Sequence, residues 1–230
     1  MDFLYDSALA AVSLLLSMDP DILHAVSTSL VVSAFAIVFA SLLGIPLGLT
    51  IGISDFRFKR SAVTLLNSFV AIPTVVVGLV LYGLLSRQGP LGFLGLLFTP
   101  AAIVIGGTVL CTPIVAHYSM VASSGADRRI FPTAMTLGAG PGRSAMKFVS
   151  EIRFGILAAV IAGFGRVVSE VGVAMMLGGN IRGYTRTMTT AIALETSKGE
   201  FAQGLALGAV LMGVALGVNI LLGLLQQRRR

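Results

Sequence analysis

Arg166 and Glu170 stand four residues apart in GILAAVIAGFGRVVSEVGVAMML, a stretch (155–177) that carries no other charge. One helical turn separates them, so a guanidinium and a carboxylate can pair on one helix face. In a helix buried in lipid, a charge at mid-depth costs about 2.5–3.5 kcal/mol. Two roles fit such a pair. Arg166 can line a route taken by an anion, with Glu170 competing for the charge so that it does not become a trap. Alternatively, the pair braces a helix bundle. Ala159, Ala162 and Gly163 extend the charged face, whereas Phe164, Val167, Val171 and Met175 lie opposite. The pattern predicts a small, charged stripe turned inward and an apolar stripe turned to lipid or to neighbouring helices.

Two further segments concentrate polar groups. The first, FPTAMTLGAGPGRSAMKFVSEIRFG (131–155), is basic and broken by glycine. Pro132 suits a first helical turn and Gly138 a helix stop, the GPG triplet suits a turn, and a second helix can begin near Arg143. Ala134 and Gly138, four apart, leave a smooth face on a helix–turn–helix that can enter a groove on a partner. The second, GGNIRGYTRTMTTAIALETSKGE, holds Arg182, Arg186 and Lys198. Other chemistry lacks its residues. No Ser/His/Asp, His-rich or paired-carboxylate arrangement suits catalysis. His24 and His117 are far apart and form no metal-ligand pattern, and the lone Cys111 allows no disulfide within the chain. A phosphate-binding loop needs Gly-Lys-Ser/Thr, and none of Lys59, Lys147 and Lys198 follows a glycine. This chain therefore cannot hold ATP by that route.

The elements that position these groups must be membrane helices. The 230 residues are 56% hydrophobic and 11% charged, with a mean hydropathy of +0.95, far from the roughly 25% charge of a soluble domain. Five runs can cross about 30 Å of hydrocarbon: residues 25–53, 61–86, 93–122, 155–177 and 201–225. Residues 3–16 are short for a span and read as an interfacial helix. They lack a basic leader segment and carry Asp6, with Asp2 just before them, so no secretory signal is expected. Net charge is +6, but the bases are scattered through short loops without aromatic interleaving, which excludes a nucleic-acid surface.

Those bases also set the orientation. Arg57, Lys59, Arg60, Arg128, Arg129, Arg143, Lys147, Arg153 and Arg228–Arg230 fall on one side. Arg87, Arg182, Arg186 and Lys198 fall on the other. Eleven against four makes the first side cytoplasmic, with the N-terminus outside and the C-terminus inside. The reading is one all-α membrane domain over 1–230. It comprises an external segment (1–24), a five-helix core (25–225) containing a cytoplasmic loop (123–154), and a basic tail (226–230). Gly44, Gly48 and Gly52, and the pairs Gly204/Gly208 and Gly213/Gly217, predict close helix packing. Pro46, Pro73 and Pro113 predict kinks.

TAMTLGAG resembles the coupling loop of ABC importer permeases, whose pattern is Glu-Ala-Ala, three residues, then Gly. Ala134 and Gly138 match. Pro132 stands where Glu is frequent, Thr133 replaces the first Ala, and Glu151 stands near the position of a downstream proline. GFGRVVSEVGVAMMLGGN resembles the corresponding helix of molybdate- and tungstate-type permeases. GPLGFLGLLFTP and GYTRTMTTAIALETSKGEF are similar to tungstate permeases in particular. The resemblance covers most of the chain and implies the MetI-like fold of type I importers. It implies a homodimer in the cell membrane, with two ATP-binding subunits that hold ATP and Mg, and an extracytoplasmic oxyanion-binding protein. The cargo it implies is tungstate, then molybdate, then sulfate. By the same resemblance Thr133, Ala134, Leu137, Gly138, Ala139 and Arg143 meet the ATPase; the buried pair itself makes Arg166 and Glu170 candidates for the path or gate, and the polar external loop makes Arg182 and Arg186 candidates for docking the binding protein. No appended cytoplasmic regulatory domain is expected after Arg230. A stand-alone ion-coupled carrier is the alternative, although five spans do not divide into inverted halves. A membrane enzyme is the least supported class.

Overall fold

The structure, a computed structural model, describes residues 9, 11–13, 16, 17, 19–127 and 129–227. Most of the expected interfacial helix (3–16), Arg128 and the basic residues 228–230 lie outside the described residues. All the regular elements described are helical.

Helix α1 (Pro20–Ile53) begins where the sequence supplies a cap: the Asp19 carboxylate accepts from the amides of Asp21, at 2.8 Å, and Ile22, at 3.3 Å, and Pro20 fills the first turn. At its other end Lys59 Nζ donates to the free Gly52 carbonyl at 3.1 Å. At 1.5 Å per residue its 34 residues reach about 51 Å, so it starts five residues before the expected span and projects past the hydrocarbon or tilts within it. α1 lies along α4 (Pro100–Ser124). The glycine stripe makes this possible. A β-carbon on Gly44 would lie 2.8 Å from the Thr112 carbonyl oxygen, one on Gly48 would collide with the Ala116 carbonyl, and one on Gly52 with the Ser123 hydroxyl. Contact between backbones is the expected consequence of such spacing.

The second expected span is not one kinked helix. α2 (Lys59–Val70) and α3 (Thr74–Leu85) meet at 90°. Pro73 caps α3 and, with its ring, pushes the residue before it out of helical conformation. Pro46 and Pro113, by contrast, sit within continuous helices. The third span starts at Pro100, not near residue 93. Residues Gly92–Leu94 form one 3-10 turn, Gly95 and Phe98 have positive φ (60° and 64°), and Thr99 caps α4. The last helices are α9 (Met188–Lys198) and α10 (Phe201–Gln227), packed on each other.

The fourth span is also interrupted. Helices α5 (Ile130–Thr136) and α6 (Pro141–Glu151) precede α7 (Arg153–Val168), which leaves α6 at 64°, and α8 (Gly172–Gly178) follows after a gap at 169–171. Three helices, α1, α4 and α10, are long and apolar enough to cross a membrane; counting the bent pairs α2–α3 and α6–α7 as one span each gives five. The core at the centre of the protomer joins α1, α4 and α7 through Ala36, Ile37, Ala40, Cys111, Val115, Ala159 and Val167. Cys111 Sγ donates to the Gly163 carbonyl at 3.1 Å, so the lone cysteine is a core residue. On α10, only Gly204 meets a neighbour, Thr196 Oγ1 at 3.1 Å, and Gly208, Gly213 and Gly217 face open space. The packing expected there is absent within the described protomer.

Candidate functional site

The 130–151 segment folds as the expected helical hairpin. α5 ends on a Schellman motif: the Ala139 amide donates to the Ala134 carbonyl at 3.0 Å and the Gly138 amide to Met135 at 3.0 Å, with Gly138 at φ 85°. Gly138 is thus the left-handed residue that stops the helix, a position where a side chain is strained. Thr133, Ala134 and Leu137 line a cavity of about 500 Å³ with Asp127, Arg129, Ile130 and Lys147. Gly138, Ala139 and Arg143 lie outside it, at the turn and on the exposed start of α6. Leu137 is 83% exposed, and Met135 and Met146 project beside it. The two methionines were missed from the sequence, where only the small-residue face drew notice; methionine is suited to adaptable contacts. The hairpin is approached by a fork of Arg129 on Asp127, with Nε–Oδ1 at 3.1 Å and Nη2–Oδ2 at 3.0 Å. These bonds hold the Asp127 carboxyl below its ordinary value.

Arg166 and Glu170 do pair, at 2.7 Å between Nη1 and Oε2. The surroundings differ from those of a continuous helix. Glu170 sits in the break, and its other oxygen accepts from the Val173 amide at 3.3 Å, capping α8. Its own carbonyl accepts from Thr189 Oγ1 at 2.8 Å. The carboxylate side chain is 7% exposed, whereas Arg166 is 40% exposed. The stripe turned into the core is Ala159, Gly163 and Val167, with Ala162 and Phe164 half-buried; Val171 and Met175 are exposed. Val167 therefore faces inward, against the sequence reading, because it fills the notch left by Gly107 on α4. A cavity of about 20 Å³ adjoins Glu170, Ser29, Ser33, Thr187 and Thr189, enough for one water. Gly172 lies against Thr74 and Val75, so the break at 169–171 and the right-angle break at 71–73 are neighbours.

The polar loop after α8 is more ordered than a connector. Gly179, Asn180 and Gly183 take positive φ. Thr185 Oγ1 donates to the Gly178 carbonyl at 2.5 Å and accepts from the Ile181 amide at 3.0 Å. α9 then starts with a capping box between Thr187 and Thr190 and ends at Gly199 with φ 86°. The Gly199 stop stands in the sequence, whereas the cap carries no usual signature, because Thr190 takes the place of Glu or Gln. Arg182 forks onto Asp21 at the start of α1, with Nε–Oδ1 at 2.9 Å and a second contact from Nη2 to Oδ2. Arg186 points into a different setting. Its side chain is 16% exposed and its Nη1 is 3.9 Å from Glu195 Oε1. Lys198 donates to both oxygens of Glu195, at 3.1 and 3.2 Å. The structure thus separates two arginines that the sequence grouped. Among the described residues, no group of three or more His, Cys, Asp or Glu side chains is placed to hold a metal.

No protein-family model matches the chain. Whole-chain relatives do. The tungstate uptake system permease protein TupB of Peptoclostridium acidaminophilum is 37% identical over 227 residues, covering 99% of this chain and 100% of that one. TupB of Campylobacter jejuni is 39% identical, covering 96% and 92%. The molybdenum transport system permease protein ModB of Azotobacter vinelandii is 31% identical, covering 82% and 88%. Among solved structures, the MetNI methionine ABC transporter in inward-facing conformations superposes with a TM-score of 0.73 at 15% identity, over 92% of this chain and 97% of that one. That likeness, over nearly the whole of both chains, shows the MetI-like permease fold. With identities of this size running the whole length, the chain belongs to the tungstate uptake permease family of ABC transporters.

Proposed function

We propose that this chain is the membrane route of an ATP-driven importer for tungstate. The observation that carries the cargo is the gradient among relatives: tungstate uptake permeases match at 37% and 39% over nearly the whole chain, a molybdenum permease at 31% over four-fifths of it. Two copies form the path in the cell membrane. Two ATPase subunits, which hold ATP and Mg, dock on the α5–α6 hairpin, where Leu137 stands out from the surface. The bias of arginine and lysine puts that hairpin in the cytoplasm and the 179–199 segment outside, where an oxyanion-binding protein delivers its load. The bent pair α2–α3 and the break between α7 and α8 form the moving part, and Arg166 with Glu170 holds the joint next to the path.

Affinity purification of the tagged permease from cells that also make the ATPase and the binding protein tests the assembly. Retention of the ATPase in stoichiometric amount, and a tungstate accumulation that ends when the ATPase is inactivated, is the outcome expected. A permease that purifies without it and still drives accumulation would be a stand-alone carrier.

A further inference from the structure

We propose that Arg186 is the receiving site for a small tetrahedral oxyanion, in the charged chamber between the start of α1, α9 and α10. The choice of anion rests on the import reading above. The chamber has a volume of about 430 Å³, where a single water needs only about 10–15 Å³.

Its charges are unequally used. Asp19 is spent on capping α1, and Asp21 is held by both arms of Arg182. Lys198 occupies both oxygens of Glu195. Arg186 keeps only a loose ion pair with Glu195, at 3.9 Å. A guanidinium offers five N–H donors. Among the described residues none of its five donates a hydrogen bond to a side chain or carbonyl: Nε is buried and unpartnered, and Nη1 is 3.9 Å from Glu195, beyond hydrogen-bonding reach. Buried donors left unmade are costly, more so when charged. The remaining source of acceptors is what enters the chamber from solution.

A tetrahedral oxyanion suits that demand better than water. The planar fork of arginine presents two parallel donors that match two oxygens of one anion. Selectivity within that class is not required at a point of passage. The chamber also carries acids, with Glu200 lining it in addition to Glu195. The Glu195 carboxylate repels the anion from beside Arg186 and keeps the hold weak, as a site that must release its occupant requires. Arg182, 70% exposed with its fork engaged on Asp21, is a strut tying the loop to α1 rather than a second receptor.

The test uses the whole transporter in nanodiscs, without its binding protein, titrated with sodium tungstate in equilibrium dialysis with elemental analysis. Half-occupancy near about 1 mM is expected, with Arg186→Gln weakening it about tenfold and Arg186→Lys falling between. Arg87→Gln, a cation elsewhere on the same face, leaves it unchanged. Glu195→Gln removes the repelling carboxylate and should tighten binding severalfold. This variant carries the test if Arg186→Gln fails to fold. Occupancy indifferent to both Arg186 and Glu195, or none at about 10 mM, overturns the site. Uptake by the wild-type complex with its binding protein is measured alongside. Absent tungstate uptake would sink the import reading, and normal uptake with occupancy insensitive to Arg186 would sink only this site.

Discussion

The glycines of α1 and of α10 have the same four-residue spacing and opposite surroundings. Gly44, Gly48 and Gly52 press against the backbone of α4, where a β-carbon would strike carbonyl oxygens or a hydroxyl. Among the described residues Gly208, Gly213 and Gly217 meet nothing within van der Waals reach, and Met212, Leu216 and Ile220 around them are exposed. Small-residue spacing records that something comes close, not whether it belongs to the same chain. In α1 that neighbour is built in. In α10 no described residue of the protomer fills that place. Arg182 and Arg186 repeat the contrast in polar form, one hydrogen-bonded within the fold and the other held only by a 3.9 Å ion pair.

Substitution breaks the comparison most sharply at Gly48. Gly48→Leu drives a side chain into the Ala116 carbonyl between two long helices that cannot part without losing the central core. Overpacking of this kind costs about 3 kcal/mol, the upper end of its range. Loss of monodisperse protein in size-exclusion chromatography is the expected readout, and a well-behaved variant with an unchanged melting temperature would show that α1 and α4 are not in backbone contact.

Leu137→Glu probes an open surface and should spare the fold. Exposed positions shift stability by about 0.5 kcal/mol or less. ATPase binding and transport should nevertheless fall more than tenfold, since a charge would enter the ATPase groove; each tenfold is about 1.4 kcal/mol. Leu137 is a cleaner probe than Gly138, where φ of 85° adds strain to any side chain. Full transport with normal ATPase retention would remove the hairpin from the coupling interface.

Arg166 and Glu170 lie between the two cases, half open and half buried. Arg166→Ala strands a buried carboxylate, at a cost of about 1–3 kcal/mol in melting experiments. The double variant Arg166→Met, Glu170→Met removes both charges and roughly keeps the volume. A role beside the path predicts a stable double variant with collapsed tungstate uptake and intact ATPase assembly. Normal uptake would reduce the pair to a brace for the 169–171 break.

The smallest effect is expected at Gly213→Leu, which should leave the melting temperature of the isolated protomer in detergent within the range of a surface change, about 0.5 kcal/mol. A large loss there would mean that α10 packs inside the protomer and that the contrast with α1 is false.

Much of this was legible because lipid leaves few choices. Long apolar runs fixed the existence of the spans, and Gly138 and the GPG turn fixed the helical hairpin of α5 and α6. What was not legible is how spans are interrupted. Pro46, Pro73 and Pro113 look equivalent in sequence, and only Pro73 stands at a right-angle break. Glu170 read as a residue within a helix. As a side chain that can cap, it instead starts a new one, and its second role needed the position of the Val173 amide to be seen. The pairing of Arg182 with Asp21 spans 161 residues and leaves no local trace.

The most direct measurement is tungstate uptake into proteoliposomes holding the permease and its ATPase, with loaded binding protein outside and ATP within. Uptake that requires ATP and the binding protein together, and that exceeds molybdate uptake at equal concentration, is the predicted result. Uptake by the permease alone down an ion gradient, or equal uptake without the binding protein, would contradict it.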